Sequence, residues 1–267
     1  MLQKIFDYSN FSHRKGPNGF TLLELLIAIS IMSIVTLFLS HFMLNMSRNY
    51  ENNIQSLDMR ESAVFAFNRV NDILNQVGAD FPSDYPAIQV TSPQEFRIAV
   101  NPRGGRNVFE APNSSTATKI IVDDITLFKD ATHILRHRTS PGSNQTVFDT
   151  RKVVSFATAQ NEITINSQLL PTSGGGDFIY PLQWFKFKLD GEKLLMNEVE
   201  LADNVESFVI EFYKDFDTKT TDWDEMKFAR FFVETKSTRK DRGYTHPEKN
   251  DNYRRHSLQR DIQLKNR

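Results

Sequence analysis

The 267-residue sequence contains no cysteine. That excludes a disulfide framework, a CxxC arrangement and the lipid-bearing cysteine of a lipoprotein. It leaves the compartment open, because exported proteins can lack disulfides. Glycine and proline are absent from Phe20 to Val77, a stretch of 58 residues. Without those breakers the stretch can run as one helix of roughly 87 Å at 1.5 Å per residue. Lysine and arginine are absent from Phe20 to Ser47, and Glu24 is the only formal charge between Phe20 and Leu44. No HExxH, Walker or GxSxG arrangement occurs, so the sequence offers no support for an enzyme.

What is present begins with the 25 residues Phe20–Leu44, dominated by apolar side chains. A bilayer span needs about 20 such residues. An ordinary secretory signal has an apolar core of only about 7–15 residues and a small-x-small cleavage site, which is missing here. Glu24 lies at the head of this run. A carboxylate at mid-bilayer is disfavoured by roughly 2.5–3.5 kcal/mol; nearer the end the cost is smaller, but a charge there points to a functional partner. Residues 1–19 carry Lys4, Arg14 and Lys15 against Asp7. That positive bias places them on the cytoplasmic side and the rest of the chain across the membrane.

The string Gly19-Phe20-Thr21-Leu22-Leu23-Glu24, with Arg14 and Lys15 ahead and the apolar run behind, resembles the prepilin-type cleavage and methylation signal of type IV pilins and type II secretion pseudopilins. The resemblance implies a dedicated peptidase that cuts between Gly19 and Phe20 and methylates the new terminus at Phe20. It implies that Glu24 pairs with the terminal amine of a neighbouring subunit during assembly. The physical logic agrees, since an ammonium at the head of an apolar helix needs an anion.

The resemblance departs from the usual pattern in a long leader and in the lack of a proline near the end of the apolar run, where His41 stands. The expected organisation is a leader at 1–19, a membrane half of the helix at 20–44, an amphipathic half at 45–78 and a β-rich head at 79–267.

In the amphipathic half, Met46, Tyr50, Ile54, Leu57, Val64, Phe67, Val70, Leu74 and Val77 recur at helical steps and predict the face that covers a core. Gly78, Pro82 and Pro86 mark the stop. Beyond them, short runs predict strands at 87–90, 96–100, 119–122, 125–128, 133–137, 152–157, 162–166, 178–182, 184–189, 193–198, 205–213, 228–235 and 258–264. Asp190-Gly191 predicts a hairpin between two of them. Loops are expected at 101–118, 139–146, 171–176 and 236–257. The fold class is α+β, a long N-terminal helix packed on an antiparallel sheet.

The order Trp184–Gly191, Leu201–Val205, Phe208, Phe212-Tyr213 and Trp223 looks like PilW-type minor pilins and the J-type minor pseudopilin of type II secretion. This resemblance implies a structural subunit that starts or tips a filament. Its partners would be the prepilin peptidase, other minor pilins, the major pilin and inner-membrane lipid. It would sit as a single pass in the inner membrane with its head in the periplasm, and then in the pilus at the cell surface. A secretion pseudopilin and a membrane-anchored periplasmic binding module are the alternatives.

Other chemistry is thinner. His133 and His137 are four apart in a strand-like run, which fits ordinary strand residues better than a metal pair. Asp215, Asp217, Asp222 and Asp224 crowd a turn, but Lys219 interrupts the spacing an EF-hand needs. Gly174-Gly175-Gly176 reads as a turn. No cofactor or metal is expected. Lys236–Arg267 holds ten Lys/Arg against four Asp/Glu, a net of +6 on an otherwise acidic body. DNA is a conceivable partner for it, and a solvated loop is the favoured reading.

Overall fold

A run without glycine or proline and rich in leucine, isoleucine and methionine has little besides helix to adopt, and helix α1 spans Leu22–Leu74. In this computed structural model, residues 21–109, 118–139, 146–169, 177–241 and 243–264 are described. The chain divides into two compact units, Met1–Asn53 and Ile54–Arg267. In the first, every described residue of the helix is exposed or half-exposed. Ser30, Ser33 and Thr36 donate their hydroxyls to the carbonyls of Leu26, Ile29 and Met32, each at 2.8 Å. Those bonds satisfy the polar side chains within the helix itself, as an apolar surrounding requires. The helix continues unbroken through His41.

The second unit holds the rest of α1 and all the strands. The α-helical ladder ends at Leu74, and the chain tightens through bonds from Gln76 N to Ile73 O and from Val77 N to Leu74 O. Gly78, at φ 73°, then turns it away. Strands follow at β1 (Ile88–Ser92), β2 (Glu95–Val100), β3 (Asn107–Phe109), β4 (Lys119–Ile121), β5 (His133–Thr139), β6 (Thr146–Ala157) and β7 (Glu162–Ile165). The later ones are β8 (Asp177–Asp190), β9 (Lys193–Met196), β10 (Val199–Ala202), β11 (Val205–Tyr213), β12 (Phe228–Lys236) and β13 (Arg255–Gln263). The larger sheet runs β1-β2-β8-β5-β6-β7-β4, with β3 and β9 also on β8 and β10 on β9; the smaller is β11-β12-β13. Every pairing is antiparallel. The fold is α+β, with an N-terminal helix on antiparallel sheets, as the sequence pattern predicts.

The main core lies where the helix from Met59 onward meets both sheets. Met59, Ala63, Ala66, Val70, Ile73 and Val77 are buried at steps of four and three. Phe67, half-buried, meets Phe231 edge-on at 5.5 Å. Phe96 stacks between Phe187 and Phe208 at 5.0 and 5.8 Å. Strand β12 alternates buried and half-buried along its whole length, the period-two signature of a strand covered on one face. The Thr235 hydroxyl donates to Met59 O at 3.0 Å and fastens the helix to β12.

Several local expectations are corrected. Residues 125–128 form a 3-10 turn, because the Asp124 carboxylate accepts from Thr126 N at 2.9 Å and Thr126 Oγ1 at 2.6 Å and caps it. The two strands expected at 178–182 and 184–189 are one strand, β8. Pro181 reads as a breaker, but it falls between the part of β8 paired with β3 and the part paired with β2, where one side has no neighbour. The expected loop 101–118 contains β3, and 236–257 runs into β13. The hairpin at Asp190-Gly191 is present, with Asp190 paired to Lys193 and Gly191 at φ 62°. Of the expected helix face, Met46, Tyr50, Ile54, Leu57 and Val64 are exposed. The alanines Ala63 and Ala66 take the inner positions, because small side chains let the helix approach the sheets closely.

Candidate functional site

The amino-terminal end of α1 is built by its own sequence. Thr21 precedes the first helical residue, and Glu24 stands three positions on. The Thr21 amide and hydroxyl both donate to Glu24 Oε2, at 2.9 and 3.0 Å. The Glu24 amide donates in return to Thr21 Oγ1 at 3.2 Å. This is a reciprocal capping box, which satisfies amides that the first turn would otherwise leave open. The carboxylate also faces the positive end of the helix dipole. Gly19 and Phe20 lie outside the described residues, so the cleavage and methylation positions have no described geometry. The helix behind Glu24 is long and apolar enough to cross a membrane by length and composition.

The remaining candidates are placed as follows. His133 and His137 share one face of β5. His133 Nδ1 lies 3.0 Å from the Thr132 hydroxyl, and the His137 ring stacks on Phe148 at 5.5 Å. Burial, and then nearby Lys152, push the His133 pKa down. Asp215 Oδ1 accepts from the amides of Asp217 and Thr218 at 3.1 and 2.7 Å. Asp222 caps the short turn after it through Asp224 N at 3.0 Å. These carboxylates close turns, and among the described residues no group of three or more His, Cys, Asp or Glu could hold a metal ion. Gly174, Gly175 and Gly176 lie outside the described residues.

Four basic side chains of the carboxy-terminal region, Lys236, Lys249, Arg254 and Arg255, are ion-paired. Arg254 meets Asp241 at 2.7 Å, and Arg255 meets Asp251 at 2.6 Å and also Glu206. Lys249 bridges Glu206 and Glu234 at 3.0 and 3.1 Å, and Lys236 pairs with Glu192. The segment after β12 is therefore a pinned loop, and much of its charge is met within the molecule.

Sequence reading missed one buried ion pair. Arg136, on β5, is 2% exposed, and its Nε donates to Asp177 Oδ2 at 2.8 Å. Asp149, on β6, stands opposite Arg136 in register and is itself buried beside Arg151. The alternation in His133–Thr139 marks a strand, but nothing in it says that its polar face turns inward.

Residues 14–40 match a family model described as a prokaryotic N-terminal methylation motif. No curated protein and no solved structure matches the chain.

Proposed function

We propose, from the premise that an amino terminus matching the methylation motif supports a type IV pilin-like protein, that this chain is a minor pilin of the PilW type. In this reading it is a structural subunit that starts or tips a type IV pilus and catalyses nothing. The prepilin peptidase removes residues 1–19 and methylates Phe20. The apolar segment 20–44 holds the chain in the inner membrane with its head outside. Other minor pilins and the major pilin then take it into the filament.

The observation that carries the reading is the matched motif at 14–40 placed directly on an unbroken apolar helix with Glu24 at its head. A second feature supports assembly: Leu57, Val64 and Phe65 are exposed on the outer side of the helix. Exposed Glu61 stands between Leu57 and Phe65, so these are separate apolar contacts that a neighbouring subunit would cover. The deciding experiment is mass spectrometry of the protein recovered from native membranes or pili. The expected mass is that of a chain beginning at N-methylated Phe20. An intact Met1–Gly19 segment, or a cut beyond Leu44, overturns the proposal. Deletion of the gene separates the two filament types: loss of surface pili supports the pilus, and loss of secreted protein supports the secretion pseudopilin.

A further inference from the structure

One face of the larger sheet carries a cleft that has no part in the amino-terminal machinery. Register places Gln89 opposite Arg97, and Arg97 opposite Lys186. It places His133 opposite both Leu182 and Lys152. Trp184 lies two residues from Lys186 and from Leu182 on β8, and Thr150 lies two from Lys152 on β6. All of them therefore share this face. The segment before β1 folds over it and adds Tyr85. The cleft on this face, whose lining includes Arg97, His133, Trp184 and Tyr85 but not Leu182, Lys152 or Lys186, has a volume of about 540 Å³, inside the range of about 300–1,000 Å³ typical of small-molecule sites.

Its walls are of two kinds. Trp184 forms one aromatic end, and Tyr85 with Phe148, ring centroids 5.2 Å apart, forms the other. The Tyr85 hydroxyl is held by Thr150. Between them stand polar groups rich in donors. The Arg97 guanidinium sits over the Trp184 ring, 5.8 Å from its centroid, is solvent-exposed and has no carboxylate partner among the described residues. His133 Nδ1 faces Thr132, which leaves Nε2 as its second polar atom. Among the described residues, no carboxylate lines the cleft.

We infer that this cleft binds an acidic pyranose unit of a polysaccharide. A pyranose has an apolar C–H face, which suits aromatic walls such as Trp184 and Tyr85, and a rim of hydroxyls, which suits Gln89, Thr150 and His133. A single carboxylate on the sugar matches a single unpaired guanidinium, a pairing that can be bidentate. A nucleotide fits less well. Phosphate groups are held by helix amino termini, backbone amide nests or several cations, whereas side chains of extended strands dominate this lining.

The test uses the full-length chain in a detergent without a sugar headgroup, and it reads the same whether or not Gly19–Phe20 is cut. Calorimetry compares three probes: an oligogalacturonate of about three units, its methyl ester and an oligothymidylate. The expected result is saturable binding of the acid form and binding of the ester weaker by about tenfold or more. Trp184→Ala should abolish binding, and Arg97→Gln should erase the difference between acid and ester. If Trp184→Ala fails to fold by circular dichroism, Trp184→Phe, weakened but folded, takes its place alongside Arg97→Gln. Absence of saturable binding to the acid form, equal affinity for acid and ester, or an unchanged Arg97→Gln profile overturns the inference. Tighter binding of the oligothymidylate also overturns it and marks the cleft as a nucleic-acid site.

Discussion

Glu24 accepts through Oε2 from both the amide and the hydroxyl of Thr21, so one of its two oxygens is held by its own chain before any neighbour arrives. Capping and subunit pairing are separable by substitution. Glutamine can still accept at the cap but carries no charge. Glu24→Ala loses both, and leaving a neighbour's ammonium unpaired in an apolar bundle costs about 3–5 kcal/mol. Both variants should be processed and membrane-inserted. If charge pairing drives assembly, both should be poorly incorporated into filaments, as measured by immunoblotting of sheared pili. Wild-type incorporation of Glu24→Gln would assign the residue to capping alone. The buried Arg136–Asp177 pair obeys the same logic in the head. Arg136→Ala strands Asp177 and should destabilise the fold by about 3–5 kcal/mol in urea titration. Replacing both partners, as Arg136→Met with Asp177→Leu, should recover most of that loss.

At the level of elements, α1 in the second unit presents a buried apolar stripe and, on its other side, a few exposed apolar residues interrupted by Glu61. The inner stripe runs from Met59 through Ala63, Ala66, Val70 and Ile73 to Val77. The outer residues, Leu57, Val64 and Phe65, face solvent. A charge placed on the inner stripe has no partner and no water. Ala66→Asp should therefore lower stability by about 3 kcal/mol or more. Leu57→Asp should cost less than about 1 kcal/mol, mostly through helix propensity. Thermal unfolding of the two variants checks this, and equal losses would mean that the inner face is misplaced.

Across the whole molecule, the near-zero net charge of −1 conceals ion pairs between the basic carboxy-terminal region and the acidic body. Arg255 holds the carboxyls of Glu206 and Asp251 below the usual range. Arg254 does so for Asp241, and Arg230 for Asp261. A carboxylate with a depressed folded pKa contributes stability that is present above its unfolded value, near about 4, and is lost as pH falls through the folded value. Loop 237–254 should therefore loosen between about pH 4 and lower values while the apolar core persists. Hydrogen exchange measured at about pH 7 and pH 3, corrected for intrinsic rates, should show selective loss of protection there. Uniform loss across β12 and the core would show that the loop is not an independent unit.

The amino-acid sequence alone determined the long helix, the α+β class and most strand positions. Each rests on neighbours within a few residues: the absence of breakers or a period of two. The tertiary structure decided which apolar residues of the helix face inward. Ala63 and Ala66 are weak hydrophobic signals, and their small size matters only once a sheet lies against them. It also decided that Pro181 can sit inside a strand, because only the arrangement of β2 and β3 leaves the gap it needs. The Arg136–Asp177 pair and the Trp184 cleft join residues far apart in the chain, through strand register that no local pattern encodes. The fate of the basic carboxy-terminal charges was likewise a tertiary matter, since their partners at Glu192, Glu206 and Glu234 lie on β-strands and turns elsewhere in the head.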